Sequence, residues 1–380
     1  MANDYIKKIN DYLDKQSFNG FSIFTGSSGQ LINLAEQGLD SISNQGKIEE
    51  LFYSTIKQFN EQNSQSTYTF CDGYSGLGWI LEYLSQKELL DCNLNHTLSD
   101  FDTVLYNISL EELNKGNYDF LHGAIGIGWY FLERNSSTTT NSKLSNIVSY
   151  LHKNSIYAKG QRYWENKRRN DSSVNFGLAH GMPSIIIFLS NCYKQGIEKE
   201  KSYSMIIEAF QFMKNFKLKN QLSLYPINSL SQQPSRLAWC YGDLGIAMSF
   251  WIAGKNLGVD SLKEEAYQIF KFSSERKSME KNNIIDAGVC HGTSGVALLF
   301  YRFYIETGDS LFYETSLFWI EKTKDFEKRG KGVDGFKSYA GHNDWSLEIG
   351  LLEGLIGIAL VGDTILNKKD SKWDRCLLLS

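Results

Sequence analysis

"DAGVCHGTSGVALLF", residues 286–300, places a cysteine beside a histidine, follows them with Gly-x-x-Gly, and then runs apolar. The same plan recurs along the chain: "TGSSGQLINL" (25–34), "DGYSGLGWILEYL" (72–84), "HGAIGIGWYFL" (122–132), "HGMPSIIIFL" (180–189), "YGDLGIAMSFW" (241–251), "HGTSGVALLFY" (291–301) and "EGLIGIALVGD" (353–363). The first glycines fall at 26, 73, 123, 181, 242, 292 and 354, a spacing of 47 to 62 residues. A repeat of this length is the pattern of an architecture built from supersecondary units that bury their apolar faces against one another. In the fourth unit Ser184 stands in the second glycine place.

Between these stretches lie segments with helical periodicity and one polar face, among them "DYIKKINDYLDK", "IEELFYSTIKQFNEQ", "SNIVSYLHKNSIY" and "SLKEEAYQIFKFSSERK". In the last of these Leu262, Ala266, Ile269 and Phe270 share one side while Lys263, Glu264 and Glu265 point elsewhere. Each amphipathic segment precedes a glycine-led, nearly all-apolar one, so the apolar helices belong inside and the amphipathic ones outside. The expected fold is all-α, an α/α toroid of seven inner and seven outer helices. A ring is preferred to an open stack because it brings the polar residues that lead into the inner helices to one mouth. With neighbouring helices about 10 Å apart, an open stack would leave units three and six roughly 30 Å from each other. The segments "RNSSTTTNSK", "PINSLSQQPS" and "KRGKGVDGFKSYAGHND" read as surface connections. None is long enough to separate two bodies, so a single toroid domain over residues 1–380 is expected.

The chain has 380 residues, 42% of them apolar and 22% charged, with a formal net charge of −4 and only three prolines. That composition supports a large core and no basic footprint for nucleic acid. No apolar run approaches membrane-spanning length and the opening residues lack the apolar core of a signal peptide, so a cytoplasmic location is expected. The six cysteines form no CxxC pair, which favours reduced thiols or metal ligands over disulfides.

Cysteine falls two positions before the first glycine in three units (Cys71, Cys240, Cys290), and histidine one position before it in three (His122, His180, His291). Cys290 and His291 with Cys240 from the adjoining unit make a Cys/Cys/His set suited to zinc, with a fourth position open. The competing reading of the same residues is small buried thiols and a histidine at a helix start. Cys71 shares the phase but lies three units from Cys240 and is read as core. His122 is read as a hydrogen-bonded histidine at a helix start, Trp79, Trp129, Trp239 and Trp251 as core, and His342 receives no assignment.

"RLAWCYGDLG" (236–245) and "VCHGTSG" (289–295), with "YDFLHGAIGI" (118–127), "GLAHGMPS" (177–184) and "LLEGLIGIAL" (351–360), resemble the LanC-type lanthipeptide cyclases, the lanthionine synthetase C family. The resemblance implies an α/α toroid with one Zn2+ on Cys240, Cys290 and His291. It also implies acid–base and supporting roles for Asp119, His180, Arg236 and Tyr241. The implied reaction adds cysteine thiols of a dehydrated ribosomal precursor peptide to dehydroalanine or dehydrobutyrine. A dehydratase and an export transporter are the implied partners, in a membrane-associated complex. Of Asp119's two readings, it either orients His180 or helps remove the thiol proton. Arg236 either stabilises the developing oxyanion or pairs with a carboxylate to hold the metal turn. The rival functions are a zinc protein that binds glutathione or adds it to dehydroamino acids, a non-catalytic zinc-bearing scaffold and, more remotely, a carbohydrate-active barrel with paired acids.

Overall fold

The computed structural model describes residues 4–38, 42–61, 67–90, 93–134, 137–165, 172–328, 332–341 and 344–380; His342 lies outside them. The helices are α1 (Asp4–Leu13), α2 (Ser27–Gln37), α3 (Ile42–Glu61), α4 (Tyr74–Gln86), the single turn α5 (Leu94–Thr97), α6 (Ser99–Asn114), α7 (Ala124–Glu133) and α8 (Thr138–Asn154). After a hairpin of β1 (Ile156–Ala158) and β2 (Gln161–Tyr163) come α9 (Met182–Lys194), α10 (Lys199–Lys214), α11 (Asp243–Leu257), α12 (Asp260–Ser274), α13 (Thr293–Thr307) and α14 (Ser310–Glu327). A second hairpin, β3 (Ser338–Gly341) with β4 (Asp344–Ser346), precedes α15 (Leu355–Leu366).

The glycine-led helices α2, α4, α7, α9, α11, α13 and α15 each pack on the next, and α15 packs back on α2. The ring is therefore closed, as expected from the polar residues that lead into the inner helices. The amphipathic helices α1, α3, α6, α8, α10, α12 and α14 lie outside it. In α12 the residues assigned to the inward face, Leu262, Ala266, Ile269 and Phe270, are all fully buried. Trp79, Trp129 and Trp239 are buried as expected, whereas Trp251 is half-buried, with its indole N–H donated to Glu306 Oε2 at 3.2 Å. No helix among the described residues is long and apolar enough to cross a membrane.

Two expectations about connections need correction. The polar run "RNSSTTTNSK" is mostly not a connection: α8 begins at Thr138, because Ser137 Oγ accepts from the Thr140 N–H at 3.1 Å and so caps a helix whose first turns lack apolar residues. Within "KRGKGVDGFKSYAGHND", residues 332–336 form a 3-10 turn and Ser338–Gly341 a strand. The hairpin strands, of three or four residues each, are too short to show an alternating pattern in sequence.

The turns that lead into the inner helices are built alike. In six of them the residue after the first glycine donates its N–H to the carbonyl seven residues back, as Tyr74 to Thr67 (2.9 Å), Met182 to Asn175 (2.9 Å) and Thr293 to Asp286 (3.2 Å). This tight return explains the second glycine. A Cβ on Gly295 would collide with the Val289 carbonyl, which is backbone and cannot step aside. Neighbouring turns are also tied to one another. Phe70 and Cys71 both donate to Leu121 O, Trp239 and Cys240 to Cys290 O, Val289 and Cys290 to Leu352 O, and Leu351 and Leu352 to Phe24 O. These bonds tie neighbouring turns along much of the mouth of the ring, on the side where all seven inner helices begin.

The other end of the ring is filled by residues 373–380, with Cys376, Leu377 and Leu378 fully buried. Trp129 Nε1 donates to Arg375 O and Trp239 Nε1 to Leu377 O, both at 2.9 Å. This segment thus closes the end of the ring opposite the mouth. Gly295→Ala should lower stability by about 1–3 kcal/mol through overpacking of the turn, measured by urea denaturation; an unchanged midpoint would contradict the steric account.

Candidate metal centre and proton-transfer site

The ligand atoms of Cys240, Cys290 and His291 lie within 4.8 Å of one another. Cys240 stands three residues before α11, and Cys290 and His291 lead directly into the turn before α13. Their backbones are clamped together, since the Trp239 and Cys240 N–H groups both donate to Cys290 O at 3.2 Å. Adjacent residues within a helix diverge by about 100°, but Cys290 and His291 precede the helix, so both side chains reach the same point.

Sequence reasoning left Asp286 without a role, although it opens the decisive stretch. The turn folds it under His291, where its Oδ2 lies 3.1 Å from His291 Nε2, and its Oδ1 accepts from the Gly288 N–H at 3.1 Å. This bond orients the imidazole and leaves Nδ1 as the ring nitrogen available to a cation, the arrangement by which a carboxylate fixes a metal-binding histidine. Burial alone would lower the His291 pKa, but the bond to Asp286 and its charge raise it overall. A hydrogen bond with Cys290 lowers the Cys240 pKa against the penalty of burial, helped by the charges of His291, Arg236 and His180. The same bond, with burial and the neighbouring anion, pushes the Cys290 thiol up. The inner-helix N-termini that face the mouth favour negative charge there as well.

A second cluster stands beside the first. Asp119 Oδ2 lies 2.7 Å from His180 Nδ1, and Asp119 Oδ1 accepts from the His122 N–H at 2.9 Å. The His122 and His180 rings stack at 5.8 Å, and Tyr241 tilts against His180 at 6.0 Å. Tyr241 is itself held, since its hydroxyl accepts from Asn175 Nδ2 at 3.1 Å. Burial would raise the Asp119 pKa, and the hydrogen bonds from His122 and His180 more than reverse this, leaving it well below the usual carboxylate range. Arg236 Nη2 donates to Asn283 O at 2.9 Å, and Arg236 makes no ion pair among the described residues. Asp119 and His180 approach across two units because their turns adjoin in the ring.

A cavity of about 290 Å³ joins these groups, lined by Cys71, Asp72, His122, His180, Cys290 and Glu353 among others. Cys71 is buried, as the sequence reading held, yet it also faces this cavity. Asp243, another residue without an earlier role, is fully buried at the start of α11. It accepts from Leu224 N, Tyr225 N and Arg276 Nη1 and so pins the preceding loop beside Cys240.

The model of the lanthionine synthetase C-like protein family matches residues 17–378. The chain belongs to that family. It is 26% identical over 314 residues to the nisin biosynthesis protein NisC of Lactococcus lactis subsp. lactis, covering 73% of this chain and 72% of that one. Among solved structures, nisin cyclase superposes with a TM-score of 0.74 at 22% identity, over 98% of this chain and 96% of its own, which shows the shared toroid fold.

Because Asp119 is depressed below its unfolded value of about 3.9, the stability it contributes is present above that pH and is lost as pH falls through the lower folded value. The gap in unfolding free energy between the wild type and Asp119→Asn should therefore be full near pH 6 and narrow below about pH 4. Urea denaturation across that range checks it, and a gap that does not shrink in acid would contradict the assignment.

Proposed function

We propose that the protein is a zinc-dependent lanthipeptide cyclase, a single toroid domain over residues 1–380. It would add cysteine thiols of a dehydrated precursor peptide to dehydroalanine and dehydrobutyrine, closing lanthionine and methyllanthionine rings. The observation that carries this reading is the convergence of Cys240, Cys290 and His291 in the same mouth as the His180–Asp119 pair. Membership of the lanthionine synthetase C-like family and the likeness to proteins named for nisin biosynthesis and nisin cyclase support it.

The donor set fits zinc. Two thiolates and a neutral imidazole are soft to borderline ligands, unlike the oxygen sets that hold magnesium or calcium, and three protein donors leave a position for a substrate. When bound there, zinc supplies the Lewis acidity that brings a peptide thiol, with an ordinary pKa of about 8.5, to its thiolate at neutral pH.

The chain's own residues account for the remaining chemistry. Addition of sulfur to the β-carbon of a dehydro residue moves negative charge onto the neighbouring carbonyl oxygen and leaves Cα needing a proton. His180 lines the cavity, and its Nδ1 is engaged by Asp119, so Nε2 is the nitrogen that delivers the proton to Cα. Asp119 holds the tautomer and ring orientation for that transfer, an orienting role in preference to thiol deprotonation, because its depressed pKa makes it a poor base. Arg236, whose charge already acts on Cys240, is assigned to the developing oxyanion in preference to a carboxylate partner. Tyr241 supports the His180 ring. We place the enzyme in the cytoplasm, receiving its peptide from a dehydratase and passing it to an export transporter at the membrane.

Zinc-loaded protein given its dehydrated precursor should consume free peptide thiols with no change in peptide mass. His180→Ala should retain its zinc and cyclise about 10²–10⁴-fold more slowly. Cys290→Ala should lose both metal and activity; ring closure by this variant at the wild-type rate would refute the proposal.

A further inference from the structure

Cys71, the third cysteine at the phase of the metal pair, has no part in the chemistry above. Its surroundings repeat the layout of the Cys240 site on the far side of the mouth. Cys71 and Asp72 occupy the two positions before Gly73, as Cys290 and His291 occupy the two before Gly292. In each case the third donor comes from an adjoining turn, His122 here and Cys240 there. The ligand atoms of Cys71, Asp72 and His122 all lie within 4.8 Å of one another, the same limit that the Cys240 set meets. The two turns are tied by the same kind of backbone bond, Cys71 N donating to Leu121 O at 3.1 Å as Cys240 N donates to Cys290 O at 3.2 Å, although the turn with the adjacent pair donates here and accepts there. Cys71 Sγ is already 3.1 Å from Asp72 Oδ2.

We propose that Cys71, Asp72 and His122 form a second binding site for a thiophilic divalent cation such as zinc, set in the wall of the cavity that Cys290 also lines. Zinc holds tetrahedral donors roughly 3.5 Å apart at bond lengths of about 2.0–2.3 Å. Side-chain rotation of about an ångström therefore closes the set, with water filling the remaining position. A thiolate, a carboxylate and an imidazole form a harder donor set than two thiolates and an imidazole, and Asp72 and His122 are exposed. The site therefore binds more weakly than the Cys240 site. Binding replaces the Cys71 S–H bond with S–metal and releases one proton to solvent. The cation also draws on a histidine whose Nδ1 lies 3.6 Å from Asp119 Oδ1 and whose ring stacks on His180, so it would compete with Asp119 for His122.

The test is metal binding by the full-length, metal-stripped protein, titrated with Co2+ while the thiolate-to-cobalt absorption is followed, and with Zn2+ by equilibrium dialysis. The wild type should take up two equivalents, the second more weakly. Cys71→Ala should lose the weaker equivalent and keep the tight one, which also reports that this variant is folded. Cys240→Ala should keep the equivalent that depends on Cys71, so the result is readable whether or not the Cys240 set proves to be the zinc site. Saturation of the wild type at one equivalent that Cys71→Ala retains would overturn the proposal. A second equivalent that survives in both Cys71→Ala and His122→Ala would overturn it too.

Discussion

One carbonyl, that of Cys290, accepts hydrogen bonds from the N–H groups of both Trp239 and Cys240. Two turns separated by some fifty residues of chain are thereby locked side by side before any ligand is present. The separation of the two cysteines is set by backbone bonds and not by the side chains alone, so little freedom remains to be lost when a third partner joins them. The same bond type recurs between other neighbouring turns and joins the last unit to the first through Leu351, Leu352 and Phe24. A ring of packed helices would tolerate sliding of one helix against the next; these ties remove that freedom at the end where chemistry is concentrated.

The charges follow from this geometry. Each of the two histidines assigned work, His180 and His291, is held by a buried carboxylate from a turn at the mouth, Asp119 and Asp286. Both carboxylates are kept ionised by the hydrogen bonds they accept in spite of burial. Under the proposed function, one pair would present an imidazole to a cation and the other an imidazole to a carbon needing a proton, the same local device serving two roles according to what stands opposite.

The fold was legible in the sequence because its repeating element is a steric necessity. A glycine stands where the turn doubles back under the helix in six of the seven units, as at Gly295, with Ser184 the exception, and such marks at near-regular spacing are hard to produce by chance. The metal-ligand candidates were legible for the same reason, since position relative to that glycine fixes where a side chain points. Asp286 was not, because its meeting with His291 depends on how the turn folds, and nothing in the spacing distinguishes it from a surface acid. The partner of Arg236 is a backbone carbonyl and leaves no trace in residue identity. Asp243 gave no signal either, since its buried pairing is with Arg276, 33 residues away in sequence. The start of α8 was hidden for a different reason: its capping serine and threonines are also the residues of loops.

The central claim is that two sulfurs and one imidazole hold a divalent ion and leave one coordination position for a substrate thiol. X-ray absorption at the zinc edge, on protein loaded with one equivalent, reads this directly. The account predicts two sulfur and two nitrogen or oxygen neighbours, changing to three sulfurs when a thiol-bearing peptide is added. A shell of four protein donors that the thiol leaves unchanged, or an absence of sulfur neighbours, would contradict it.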